Sequence, residues 1–155
     1  MKLFSSAKQL HAFLEEAYEE KNSSFVSAQT PLLSNLSILE NVALVSQVHQ
    51  GLNRIKAQEK AFIALEKLGI SHLSFLRYNE CDTKDIFCAQ LARAAMIEEN
   101  KVIIEQPFSL LAEEVHKDFI FDALQNLDIA FNKVFVLDLE HQESFYKEGP
   151  CHIEK

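Results

Sequence analysis

Glycine is scarce in this chain: 155 residues hold three, Gly51, Gly69 and Gly149, and none precedes a Lys-Ser or Lys-Thr pair. The glycine-rich loop that brings backbone amides against nucleotide phosphates is therefore missing from the sequence. Positive charge is also short. Fifteen Lys and Arg stand against 23 Asp and Glu, a formal charge of −8. That is the wrong sign for displacing counterions from a phosphate backbone, so nucleic acid is not expected as a partner. No apolar run approaches the roughly 18 residues a spanning helix needs, and the start from Met1 to Lys8 lacks the apolar core of a signal peptide. The expectation is a cytoplasmic protein, peripheral to a membrane at most. Cysteine is limited to Cys81, Cys88 and Cys151. An odd number without zinc-ribbon spacing reads as reduced, structural thiols. A Gly-x-Ser-x-Gly elbow is missing too, which removes the hydrolases built on it.

Metal chemistry finds little support. Glu113 and His116 form one Glu-x-x-His spacing on a helical face, where a carboxylate-bridged site needs two such motifs and further glutamates. Cys151 and His152, with His141, are adjacent ligands poorly placed for a tetrahedron. No metal and no cofactor are expected.

What is present is an ordinary globular composition, 48% hydrophobic and 25% charged. A chain of this length buries roughly 70% of its unfolded surface as one domain. The 12 Phe and 3 Tyr recur at helical spacing and read as core. Residues 6 to 21 place Leu10, Phe13, Leu14, Ala17 and Tyr18 on one helical stripe. Ser24 to Ala28 has the length and bulk of a strand. Ser37 to Glu40 has the form of a capping box and opens a helix to about Gln50. A third helix from about Asn53 carries Ile55, Phe62, Ile63, Leu65 and Leu68 and stops at Gly69. Ser71 to Arg77 reads as a short helix, and Asp82 or Thr83 caps another containing Ile86, Phe87, Leu91, Ala94 and Ala95. Lys101 to Glu105 is a buried-type strand closed by Pro107. A helix over about 112 to 130 leads to the strand Val134 to Leu137, and strand, helix, strand in that order implies parallel pairing. The tail carries a Gly149-Pro150 turn and an edge strand at Ser144 to Tyr146. The fold class is α/β, a mainly parallel sheet flanked by helices.

Several of these segments, taken in order, resemble the ATPase subunit of ATP-binding-cassette (ABC) transporters. Phe25 to Leu44, reading FVSAQTPLLSNLSILENVAL, resembles that family's strand and glutamine loop followed by the opening of its helical subdomain. Ala64 to Ile70 resembles "aLekvGL", and Leu91 to Met96 resembles the helix after the signature sequence. Val102 to Ser109 stands where the family has four apolar residues and "DEPf". The resemblance runs from about residue 24 to 139, with a helical subdomain at about 36–100 inside one domain spanning 1–155. The "ENVAL" wording is most similar to subunits serving lipid or lipoprotein extraction and cell-division complexes.

The departures fall on chemical positions. The resemblance matches the magnesium-holding aspartate with Glu105 and the catalytic glutamate with Gln106, whose amide cannot take a proton from water. The signature sequence falls at Cys81 to Asp85, where two acidic residues open a helix that should receive phosphate. The following aspartate falls near Ala112 and the switch histidine at Asp138 or Leu139, with His141 just out of register. Gln29 matches the glutamine loop. In the family this loop and the helical subdomain receive the membrane partner, so Gln29, Pro31, Leu32, Leu33 and Leu36 form the expected partner surface. The resulting expectation is a catalytically inactive, ABC ATPase-like binding or regulatory subunit of a membrane transport or envelope complex, partnered by a membrane component or a true ABC ATPase, and compatible with a homo-oligomer. The alternatives are a nucleotide-dependent enzyme using Glu105 and Gln29 in a non-standard site, and an unrelated small α/β adaptor.

Overall fold

A computed structural model of the protein describes residues 1–111 and 117–146. The expectations at residues 112 to 116, including Ala112, Glu113 and His116, and those at Gly149, Pro150, Cys151 and His152 lie outside the described residues. Among the described residues four strands, β1 (Lys2–Phe4), β2 (Ser23–Val26), β3 (Lys101–Glu105) and β4 (Val134–Leu139), form one sheet in the order β1-β4-β3-β2. All pairings are parallel, with Phe25 opposite Ile103 and Ile104 opposite Val136. The expected pair of central parallel strands, β3 and β4, is thus observed.

Alternation along β3 decides how the layers stack, since successive side chains leave opposite faces. Ile103, with Leu137 of β4, meets Leu10, Leu14 and Ala17 of helix α1 (Ala7–Glu19). Val102 and Ile104, with Val136, meet Phe87 and Leu91 of α4 (Thr83–Ala94) and Leu124 of α6 (Lys117–Asn126). Between β3 and α6, Pro107 opens the one-turn helix α5 (Pro107–Leu110).

A third cluster joins α2 (Ile38–Gln50), α3 (Arg54–Lys67) and the far side of α4. The capping box at Ser37 is present: Glu40 N–H donates to Ser37 Oγ at 3.2 Å and Ser37 N–H to Glu40 Oε2 at 3.0 Å. Gly69 ends α3's turn at φ 73°, a conformation glycine adopts without strain.

Two features differ from the sequence reading. On α3 the bulky residues Ile55 (70%), Ile63 (54%) and Phe62 (37%) are exposed, while Ala57, Ala61, Ala64 and Leu65 are buried. An alanine stripe lets α2 approach closely, and the large side chains cannot occupy that narrow gap. Ser144 to Tyr146 is not an edge strand; it lies in a 3₁₀ segment, Glu140–Tyr146, because Tyr146 is drawn into the core beside Phe108.

Asn41, 2% exposed, organises the loop before α2. Its Oδ1 accepts Leu33 N–H at 2.7 Å, and its Nδ2 donates to the carbonyls of Leu33, Leu36 and Ser37 at 3.0 to 3.3 Å. Asn41→Ala leaves these buried groups unmatched and is expected to cost about 2–3 kcal/mol in urea unfolding. Asn41→Asp, which sets an acceptor against three carbonyls, is expected to cost at least as much; an unchanged midpoint for either would contradict this role.

Candidate functional site at the carboxyl edge of the sheet

The carboxyl ends of parallel strands gather their loops on one edge, the usual place for ligands in open α/β sheets. Here Ser5 and Ser6 leave β1, Ser27 follows β2, Glu105 and Gln106 end β3, and Asp138 and Leu139 end β4.

Ser27, wholly buried, is the centre of this edge. Its Oγ donates to Glu105 Oε2 at 2.5 Å, accepts the N–H of Gln29 at 2.9 Å, and lies 3.2 Å from the hydroxyl of Tyr18. A serine hydroxyl has one proton, already given to Glu105, so the Tyr18 hydroxyl donates to Ser27. Burial pushes the Tyr18 phenol up; the bond to Ser27 opposes the shift and the Glu105 carboxylate adds to it. Tyr18 is 38% exposed, so its place on the apolar stripe is only half of its role. Glu105 keeps Oε1 without a hydrogen-bond partner among the described residues.

Gln106 has φ 41° and ψ 58°, left-handed backbone that non-glycine residues seldom adopt and that costs about 1 kcal/mol or more. Two bonds hold it there: its N–H donates to Leu137 O at 2.8 Å, and its carbonyl accepts Ser109 N–H at 2.9 Å. Asp138, 1% exposed, accepts Leu139 N–H at 2.8 Å and the Tyr146 hydroxyl at 2.7 Å. Burial raises its carboxyl above the usual range, against the lowering effects of these bonds and of His141. His141 itself is exposed, beyond the end of β4.

At the signature-like stretch, Asp82 caps α4 by accepting Asp85 N–H at 2.8 Å. The helix start is occupied by the chain's own carboxylate. Cys88, on the buried face of α4, has a thiol pushed up to about 12, by burial first and then by Asp85, which suits a packing role.

The structure brings Glu105 and the backbone of Gln29 together through Ser27, while the Gln29 side chain is exposed. Of the expected partner surface, Gln29, Pro31 and Leu33 are exposed and Leu36 is half-buried. Leu32 is not surface: at 5% exposure it packs with Ile38, Leu39 and Val42. Neighbouring residues of this loop point opposite ways, so Leu32 enters the helical core as Leu33 leaves it. Sequence reasoning missed Phe75, at 85% the most exposed large apolar residue among the described residues. Its loop is strapped to the start of α2 by Ile38 N–H to Leu76 O at 2.8 Å and Leu39 N–H to Ser74 O at 3.0 Å. Ser27 and Tyr18 were missed as well; the available signal was a hydroxyl closing an apolar strand run. A cavity of about 510 Å³ lies elsewhere, lined by Lys60, Met96, Val102, Leu127 and Lys133 and not by Glu105 or Ser27.

No protein-family model matches the chain. It is 30% identical over 112 residues to the lipoprotein-releasing system ATP-binding protein LolD of Coxiella burnetii (strain RSA 493 / Nine Mile phase I), a match covering 72% of the chain and 48% of that protein. The chain thus spans about half the length of the curated relative it matches. Among solved structures it resembles an inward-facing putative metal-chelate type ABC transporter, with TM-score 0.66 and 18% identity over 88% of this chain and 60% of that one. It also resembles the dimeric ATP-binding cassette MJ0796 in a post-hydrolysis state bound to ADP and Pi, with TM-score 0.62 and 20% identity over 83% and 56%.

These findings correct the expectation of a non-enzyme. One similar protein is named as ATP-binding and another was captured with ADP and Pi, so the expectation of a pseudo-ATPase, which had rested on the missing glycines and on Gln106, is not upheld. They also remove the unrelated α/β adaptor. No helix among the described residues is long and apolar enough to cross a membrane. With four parallel strands in this order and helices on both faces, the chain has the fold of an ABC-transporter ATPase domain.

Proposed function

We propose that this chain serves a transport system as an ABC ATPase-type component at the cytoplasmic face of a membrane. Its Glu105 edge meets nucleotide, and its Gln29 to Leu36 loop, with Phe75, meets a membrane component. Residues 36–100 act as the helical subdomain that presents this loop. The observation that carries the reading is the Ser27–Glu105 bond, which fixes a carboxylate at the carboxyl edge of a parallel sheet and leaves one oxygen without a partner among the described residues. The lipoprotein-releasing system of the Coxiella relative supports envelope transport as the process, and the dimeric cassette supports a second ATPase subunit as a further partner.

Glu105 fits a magnesium ion, since carboxylate oxygen is the donor this hard cation prefers. Phosphate is served less fully: between β1 and α1, Ser5 gives its hydroxyl proton to Gln9 Oε1 at 2.6 Å and Ser6 Oγ accepts Gln9 N–H, and there is no glycine-lined cradle. We assign no hydrolytic step to any residue. Glu105 and Gln29 are the residues through which a non-standard nucleotide site would act.

Magnesium-ATP titration of the purified protein tests the reading. Saturable binding is expected, weakened at least tenfold in Glu105→Ala, a loss of about 1.4 kcal/mol or more, and a few-fold in Ser27→Ala, which frees the carboxylate without removing it. A protein that binds no magnesium-ATP, alone or with its transport component, or a Glu105→Ala variant that binds as before, overturns it.

A further inference from the structure

Among the described residues, one guanidinium lines a pocket without a counter-ion. Arg93, on α4 and half-buried, donates to the carbonyl of Pro31 at 2.9 Å and to that of Thr30. Both acceptors are neutral, and Arg93 has no ion pair among the described residues. Carbonyls orient a guanidinium but leave its charge in place, and a desolvated charge without a counter-ion is costly. Two bonds also leave three of its five N–H groups available.

The pocket beside it, about 340 Å³, lies between α2, α4 and the edge strand β2. Lys21 and His49 line it with Arg93, and no carboxylate does among the described residues. This is unusual in a chain with eight more acidic than basic residues. Ser24 and Asn100 add polar groups: Asn100 Nδ2 donates to Ser24 Oγ at 3.0 Å, which leaves the serine proton to give. Phe25 and Leu44 form the apolar side.

We propose that the Arg93 pocket binds a small phosphate monoester. Three donors that line one pocket, the Arg93 fork, the Lys21 ammonium and the Ser24 hydroxyl, suit a tetrahedral anion with several acceptor oxygens better than a planar carboxylate. The ester's organic body rests on Phe25 and Leu44. Glu105 does not line this pocket, so the site stands apart from the nucleotide edge.

Calorimetric titration of the full chain at constant ionic strength tests it, with inorganic phosphate, phenyl phosphate and acetate as probes. Saturable one-to-one binding is expected, with phenyl phosphate at least fivefold tighter than phosphate and acetate far weaker. Lys21→Gln is expected to weaken phenyl phosphate at least fivefold with an unchanged melting temperature, and Arg93→Gln to abolish binding. Should Arg93→Gln unfold the protein because the Thr30–Pro31 loop comes loose, Lys21→Gln still decides. Absence of saturation, affinity unchanged in Lys21→Gln, or acetate binding as tightly as phosphate overturns the proposal, the last marking a carboxylate site instead.

Discussion

Phe87→Ala is expected to remove about 3–5 kcal/mol of stability, the range for truncating a buried aromatic. Phe87 is 1% exposed and occupies the layer between the sheet and α6, where its ring lies 6.2 Å from that of Phe119. A domain of this size has about 5–15 kcal/mol in all, so this single change consumes a large share. Phe75→Ala provides the contrast: at 85% exposure its ring packs on little, and the expected change is within about 0.5 kcal/mol. Urea unfolding of the two variants side by side measures the difference. Equal midpoints would mean that α4 does not pack on the sheet as described.

Leu32→Asp and Leu33→Asp should separate just as widely although the residues are adjacent. Leu32 is 5% exposed in the helical core, and a carboxylate there loses the apolar contacts and gains an unpaired buried charge, together about 4 kcal/mol or more. Leu33, 47% exposed, should tolerate the charge within about 0.5 kcal/mol. Its expected effect is on association: if the loop meets a membrane component, capture of that component should fall at least tenfold while the melting temperature holds. Loss of stability in Leu33→Asp would place it in the core, and retained capture would move the partner to another face.

Those two leucines also show what a sequence can and cannot convey. The run from Pro31 to Leu36 announced apolar residues that needed cover, by core or by partner; the structure buries Leu32 in the core and leaves Pro31 and Leu33 exposed. The capping box at Ser37, the stop at Gly69 and the cap at Asp82 were legible because each depends on residues three or four apart and on backbone geometry that travels with the chain. The buried-type strands Lys101–Glu105 and Val134–Leu139 were legible for a similar reason, since an unbroken apolar run of that length has to lie covered on both faces. The ends of the chain were less so: β1 is only Lys2–Phe4, too short to show a period, and it exists because β4 offers it an unpaired edge.

At the site, the family resemblance pointed to Glu105, Gln106 and Gln29, but nothing near Glu105 in the chain discloses Ser27, 78 residues away, or the bond that holds the carboxylate. Only the parallel register, which sets Val26 beside Ile104, brings the residues that follow them into reach. Helix α3 shows the same division. By itself the sequence determined that a helix would form there, and its pattern offered two apolar stripes, one of large side chains and one of alanines. Tertiary structure decided between them, because the close approach of α2 leaves room for Ala57, Ala61 and Ala64 and none for Ile55, Phe62 and Ile63.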